Sequence, residues 1–157
     1  MSAISSILVV CMGNICRSPT METVLKHKLA ATELTTRIDS AGTIGYHQGN
    51  PPDPRSVAAG SARGYDFSGI SAQQVKPSDF EDYDLVLCAD NANYRDLLSI
   101  CPNDLVHKVQ LFLAFGDMSE HEVPDPYYGG ERGFEHVLDL IEVACENIIN
   151  KIRLSTR

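Results

Sequence analysis

The stretch Ile7-Leu8-Val9-Val10-Cys11-Met12-Gly13-Asn14-Ile15-Cys16-Arg17-Ser18-Pro19 decides the fold, because its pattern changes character partway along. Ile7 to Val10 is a short, unbroken apolar run rich in branched side chains, the signature of a strand buried on both faces. It ends at Cys11. From Pro19 the period lengthens: Met21, Val24, Leu25 and Leu29 fall on one stripe, with Glu22, Lys26 and Glu33 elsewhere, as in an amphipathic helix. Ser18 and Pro19 suit that helix's N-cap and first position. The intervening residues are then a turn joining a buried strand to a helix.

Further along the chain the same alternation repeats. A second strand is expected over 37–41, and a Gly- and Pro-rich loop over 42–54 leads to a helix over 55–63. Residues 84–89 read as a third buried strand, followed by Asp90 capping a helix that carries Tyr94, Leu97 and Leu98. A fourth strand is predicted over 105–109, and a second long loop, rich in Gly, Pro and acidic residues, over 115–133. Phe134, Val137, Leu138, Ile141, Ala144, Cys145, Ile148, Ile149 and Ile152 keep three-or-four spacing, so the last helix must bury a long face. Strands alternating with helices predict an α/β fold, a doubly wound (flavodoxin-like) four-stranded parallel sheet with helices on both faces. Ligands of such folds bind at the carboxyl ends of the strands, where strand order reverses. Cys11 leaves the first strand at that end.

Composition narrows the function. A chain of 157 residues with 43% hydrophobic content is sized for one core, so residues 1–157 are read as a single domain. No apolar run approaches a membrane span, and Met1 to Ser6 lack the basic and apolar regions of a secretory signal, so a cytoplasmic protein without membrane association is expected. Five cysteines are an odd number in a domain large enough not to need stapling, which fits a reducing compartment. A net charge of −8 and the lack of a basic cluster argue against nucleic acid. The five histidines have no metal-ligand spacing, so no metal and no cofactor are expected.

The turn itself carries chemistry. Five residues separate Cys11 from Arg17, so a loop closing over an anion brings the sulfur beneath it and the guanidinium beside it. Backbone N–H groups of Met12, Gly13, Asn14, Ile15 and Cys16, together with a helix N-terminus, would bind a dianion, and Arg17 would grip two oxygens at once. Such surroundings favour the thiolate, the nucleophilic form of cysteine, at Cys11. Ser18 is equally suited to donate its hydroxyl to that sulfur and to cap the helix. Gly13 and Asn14 suit a tight turn with positive φ, and the Asn14 side chain can brace the loop. The bland alternative, a strand end with two packed thiols, explains one cysteine but not the whole arrangement.

The stretch from Val10 to Pro19 closely resembles the signature of the low-molecular-weight protein tyrosine phosphatases. Asp39-Ser40-Ala41-Gly42-Thr43, Asn50-Pro51-Pro52-Asp53-Pro54-Arg55 and Asp125-Pro126-Tyr127-Tyr128-Gly129 resemble that family too, in the same order along nearly the whole chain. The resemblance implies that Cys11 forms a phosphocysteine, Arg17 binds the phosphoryl group, and Asp125 protonates the leaving phenolate and then activates water. It makes Tyr127 a wall of the substrate slot, with Tyr46 opposite, His47 beside it and Tyr128 adjacent; it also makes the two loop tyrosines candidate phosphorylation sites. It implies a phosphotyrosine protein as substrate, inorganic phosphate as product and inhibitor, and a monomer. One departure stands out. Where many relatives read Ser-Gly-His-x-Ala-Arg, this chain has Ser68-Gly69-Ile70-Ser71-Ala72-Gln73, so a histidine that helps brace the loop asparagine is missing and the support of Asn14 is in question.

Cys16, on the same loop as Cys11, is a candidate redox partner: a sulfenic acid at Cys11 beside a second thiol condenses to a reversible disulfide. Cys88, Cys101 and Cys145 are expected in the core. Three rival functions share this architecture. A thiol-dependent arsenate reductase needs shuttling cysteines, for which only Cys88 and Cys101 offer themselves; a phosphoarginine phosphatase resembles this chain but carries Thr where Ile15 stands; and an idle phosphotyrosine-binding module would not need Cys11, Arg17 and Asp125 together.

Overall fold

The computed structural model of the protein describes residues 3–128 and 130–156. Four parallel strands, β1 (Ser6–Cys11), β2 (Arg37–Gly42), β3 (Leu85–Cys88) and β4 (Val109–Leu111), form one sheet in the order β2-β1-β3-β4. Helices α1 (Arg17–Ala30), α2 (Pro54–Ser61), α3 (Asp79–Asp82), α4 (Asn91–Ile100), α5 (Phe112–Phe115) and α6 (Gly130–Ser155) follow or connect them. Because successive strand side chains point to opposite faces, the apolar run of β1 serves two cores. Ile7, Val9 and Cys11 pack with Met21, Val24 and Leu25 of α1 and with Val137, Ile141 and Ile148 of α6. Leu8 and Val10 pack on the other face with Ala41, Phe80, Val86, Leu97 and Val109. This is the expected doubly wound sheet. Its strand order reverses at β1, paired with β2 on one side and β3 on the other, so the crevice opens where Cys11 ends β1. No described helix is long and apolar enough to cross a membrane.

Several boundaries differ from the sequence expectation. Helix α1 begins at Arg17, not Pro19, and its N-cap position is Cys16, which makes no side-chain capping bond. Ser18 is therefore inside the first turn and is not the cap. Pro19 is tolerated there because the first N–H groups of a helix have no intrahelical acceptor to lose. Glu22, placed by periodicity on the polar side, is 5% exposed, since the whole first half of α1 lies against the sheet and its loops. The predicted strand over 105–109 is mostly a 3-10 helix, Asn103–Lys108, and β4 starts only at Val109, where the chain reaches register with Val86 of β3. Lys108 fixes that approach by donating to the carbonyls of Phe80 and Tyr83 at 2.8 and 3.0 Å. Helix α2 starts at Pro54 with Asp53 as N-cap, and α6 starts at Gly130 rather than Phe134, which shortens both long loops.

Candidate active site

The residues at the end of β1 form a cavity lined by Cys11, Met12, Gly13, Ile15, Cys16, Arg17, His47, Asp125 and Tyr127. Its floor is the Cys11-to-Arg17 loop. The loop's carbonyls are occupied from behind: that of Cys11 accepts from Thr43 N at 2.9 Å, that of Met12 from Ile44 N at 3.1 Å, and that of Ile15 from Asp53 N at 2.7 Å. Among the described residues, the N–H groups of Gly13, Ile15 and Cys16 have no backbone acceptor. Unpaired amides in so enclosed a turn mark a place where an anion supplies the acceptor.

The Cys11 sulfur is 3% exposed as a residue and receives two donors. Asn14 N–H donates to Sγ at 3.3 Å, and Ser18 Oγ lies 3.1 Å from it. Ser18 Oγ already accepts from Asn14 Nδ2 at 2.7 Å, so its own proton is free for the sulfur; the Ala41 carbonyl at 3.4 Å is the poorer acceptor. Of the two uses open to Ser18, the geometry selects the sulfur. Asn14 takes the positive φ, at 57°, whereas Gly13 does not. Gly13 is required by crowding instead: a Cβ there would lie 2.9 Å from His47 Cδ2.

The bracing of Asn14 is complete without a histidine. Its Nδ2 also donates to Ser40 Oγ at 3.0 Å, Ser40 Oγ donates to Glu22 Oε1 at 2.5 Å, and its Oδ1 accepts from Gln73 N at 3.0 Å. Gln73 further donates its side-chain amide to the Ser40 carbonyl at 2.9 Å, and Lys26 holds the other oxygen of Glu22 at 2.5 Å. Ser40, Glu22 and Gln73 were not among the residues expected at the site. The signal that points to Glu22 is a carboxylate four residues before Lys26 in a segment whose neighbours are otherwise core; nothing local marks Ser40.

Arg17 is 7% exposed and donates Nη1 to Asp90 Oδ2 at 2.7 Å and to the Val123 carbonyl at 3.1 Å, leaving the rest of its fork for an anion. Burial alone would lower its pKa, but Cys11, Asp90 and Asp125 together outweigh burial and raise it above the ordinary value. Asp90 serves twice. Oδ1 accepts from Asn93 N at 2.8 Å as the cap of α4, while Oδ2 anchors the arginine. The cap was legible; the anchor was not.

Asp125 lies exposed on the loop that follows α5, reaches the cavity, and accepts from Tyr127 N at 3.0 Å through Oδ1. Tyr127 walls the cavity, half exposed, and His47 lines its other side. Tyr46 does not line it: the ring is 83% exposed and packs edge-on against His47 at 4.9 Å. The side chain of Tyr128 lies outside the described residues. Cys16 is buried, and burial first, then Asp53, pushes its thiol up to about 12. Burial likewise pushes Cys88 up to about 12 and raises Cys101 and Cys145, and all five cysteines are free.

A parallel sheet thus carries, at its switch point, a cysteine-to-arginine loop whose free amides face a carboxylate and a tyrosine, an arrangement suited to a phosphate ester. The low molecular weight phosphotyrosine protein phosphatase family model matches residues 6–156. The low molecular weight phosphotyrosine protein phosphatase of Gallus gallus is 39% identical over 153 residues, covering 94% of this chain and 96% of its own. A protein tyrosine phosphatase of Entamoeba histolytica, solved with Hepes in the active site, superposes with a TM-score of 0.90 at 42% identity over 97% of this chain and 99% of its own. YfkJ of Bacillus subtilis superposes with a TM-score of 0.92 at 34% identity, covering 99% of both chains. The chain belongs to the low molecular weight phosphotyrosine protein phosphatase family, and is a protein-tyrosine phosphatase.

Proposed function

We propose that the protein hydrolyses phosphotyrosine in proteins through a phosphocysteine on Cys11. The observation that carries this is one cavity shared by the Cys11 sulfur, the Arg17 guanidinium, Asp125 and the Tyr127 ring. The loop amides and Arg17 hold the three non-bridging oxygens, where charge gathers as the phosphoryl group moves. The Cys11 thiolate attacks phosphorus, the bond to the tyrosine oxygen breaks, and the carboxylic acid of Asp125 gives its proton to the departing phenolate. Water then attacks the phosphocysteine, Asp125 takes a proton from it, and phosphate leaves as the thiolate is restored, with Ser18 and Asn14 N–H donating to the sulfur. Inorganic phosphate, which fits the same cradle, is expected to inhibit.

The phenyl ring of the substrate would lie against Tyr127 and His47, at a depth suited to an aryl ester rather than the short stem of phosphoserine. Tyr46, beside His47, would meet the substrate outside the cavity. Met12 and Ile15, on the rim, would contact the ring, and Ile15 favours phosphotyrosine over phosphoarginine. Residues 1–157 would act as one phosphatase domain, as a cytoplasmic monomer. Peroxide oxidation of Cys11 to a sulfenic acid, followed by condensation with the Cys16 thiol and loss of water, would switch it off reversibly. An arsenate reductase is disfavoured by the burial of Cys88 and Cys101, which holds both as thiols. The test compares phosphotyrosine, phosphoserine and phosphoarginine peptides on wild type, Cys11→Ser and Asp125→Ala. Hydrolysis of the phosphotyrosine peptide without any reductant, lost in Cys11→Ser, is expected; equal rates on all three peptides would remove the substrate assignment.

A further inference from the structure

Asp125 sits on a loop with two anchors. Upstream, Val123 N donates to the Ala89 carbonyl at the end of β3 at 2.8 Å, and the Val123 carbonyl accepts from Arg17. Downstream, the Arg55 guanidinium stacks over the Tyr127 ring, 4.2 Å from its centroid, and reaches the Phe134 ring of α6 at 5.2 Å. Arg55 is itself fixed. Asp53, 9% exposed, accepts from Arg55 N at 2.8 Å and Nε at 3.1 Å through Oδ1, and from Nη2 at 3.0 Å through Oδ2. Asp53 N in turn donates to the Ile15 carbonyl of the phosphate loop at 2.7 Å. A continuous line of contacts therefore runs from Ile15 through Asp53, Arg55 and Tyr127 to Asp125. The start of α6 seats the same segment: a Cβ at Gly133 would lie 2.9 Å from the Pro126 carbonyl oxygen.

We propose that Arg55 is a positioning residue for the reaction, setting Asp125 over the phosphate cradle by clamping Tyr127. The clamp rests on the reading of Asp125 as the acid. The flat Arg55 guanidinium suits the task because one face lies on an aromatic ring while its edge is held by a carboxylate fork. In the step that forms the phosphocysteine its consequence is proton delivery. A substrate whose leaving phenolate is strongly basic needs the acid in place; one with a weakly basic leaving group departs without it.

The test measures kcat/KM, which covers only binding and the transfer to Cys11, for phenyl phosphate and 4-nitrophenyl phosphate on wild type, Arg55→Ala, Arg55→Lys, Asp125→Ala and the Arg55→Ala/Asp125→Ala double variant, with inhibition by inorganic phosphate as the check on the cradle. Arg55→Ala should lower kcat/KM about fivefold for phenyl phosphate, the size of a partly exposed cation–π contact converted to a population, and hardly at all for 4-nitrophenyl phosphate. Arg55→Lys should restore part of it, phosphate inhibition should be unchanged, and the double variant should behave as Asp125→Ala alone. An equal fall for both substrates, or weakened phosphate inhibition, would show that Arg55 acts only through the cradle and overturn the clamp, even with Asp125→Ala selectively slow on phenyl phosphate. If Asp125→Ala shows no such selectivity, the acid assignment falls and the clamp falls with it.

Discussion

The two loops that make the site are built on opposite terms. The Cys11-to-Arg17 loop buries Cys11, Asn14, Cys16 and Arg17, its carbonyls are bonded from behind, and its one left-handed residue, Asn14, is held by Ser18, Ser40 and Gln73. The Asp125 loop is exposed and is held mainly at Val123 and Tyr127. A cradle must present its donors before the anion arrives, since donors that need no reorganisation stabilise the most. An acid must meet a proton acceptor that enters and leaves. The difference predicts that damage to the first loop weakens both phosphate binding and turnover, whereas damage to the second spares binding.

The largest effect expected of these separations is at Asp125. Asp125→Ala should cut kcat for phenyl phosphate by about 10²–10⁴-fold, the range of a lost general acid, with inhibition by inorganic phosphate unchanged. Loss of phosphate affinity in that variant would erase the distinction between the loops. Next comes Arg17→Lys, which keeps the charge but loses the fork shared between Asp90, the Val123 carbonyl and the anion; kcat/KM should fall about 10²–10³-fold, and phosphate inhibition should weaken alongside. If only kcat fell, the arginine would belong functionally with the acid loop.

Asn14→Ala should sharpen the comparison through stability. It removes the donor to the buried hydroxyls of Ser18 and Ser40 and the acceptor of the Gln73 N–H, which costs about 1–3 kcal/mol, readable as a loss of several degrees in Tm. Asp125→Ala, exposed, should leave Tm nearly unchanged. The smallest effect is in alkaline solution. Burial holds the Cys16 thiol up at about 12, so the unfolded chain releases that proton at lower pH than the folded one. The stability this contributes is complete below the ordinary thiol pKa and is lost as pH rises toward 12. The fall in Tm above about pH 8 should therefore be shallower in Cys16→Ser than in wild type. An identical slope would mean that Cys16 is not held as a thiol by the fold. Mass mapping after mild peroxide should find the Cys11–Cys16 bridge, and irreversible oxidation of Cys11 alone would contradict the switch.

Much of this was legible along the chain because it is local. The run Ile7 to Val10 declared a strand buried on both faces, the stripe from Phe134 to Ile152 declared the long helix, and the Cys11-to-Arg17 spacing declared a turn that brings sulfur and guanidinium to one cavity. What was not legible depends on residues brought together by the fold. Asp90 looks complete as a helix cap, and only the packing of β3 beside β1 shows its second oxygen meeting Arg17 across a separation of 73 residues. Glu22 follows a helical period that places it in water, yet α1 packs it against Ser40 of β2. The absence of a histidine near Ile70 read as a weakness, but Ser40 and Gln73 bond Asn14 directly and Glu22 holds Ser40 in place. Residues 105–109 have a strand's composition, but alignment with β3 begins only at Val109.

Rapid mixing of the enzyme with a radiolabelled phosphotyrosine peptide, quenched into denaturant during the first turnover, tests the central claim most directly. Label bound as a phosphothiol to the peptide that contains Cys11, appearing before free phosphate and absent from Cys11→Ser, is the predicted result. Label that passes to phosphate without residing on Cys11, with turnover retained in Cys11→Ser, would contradict it.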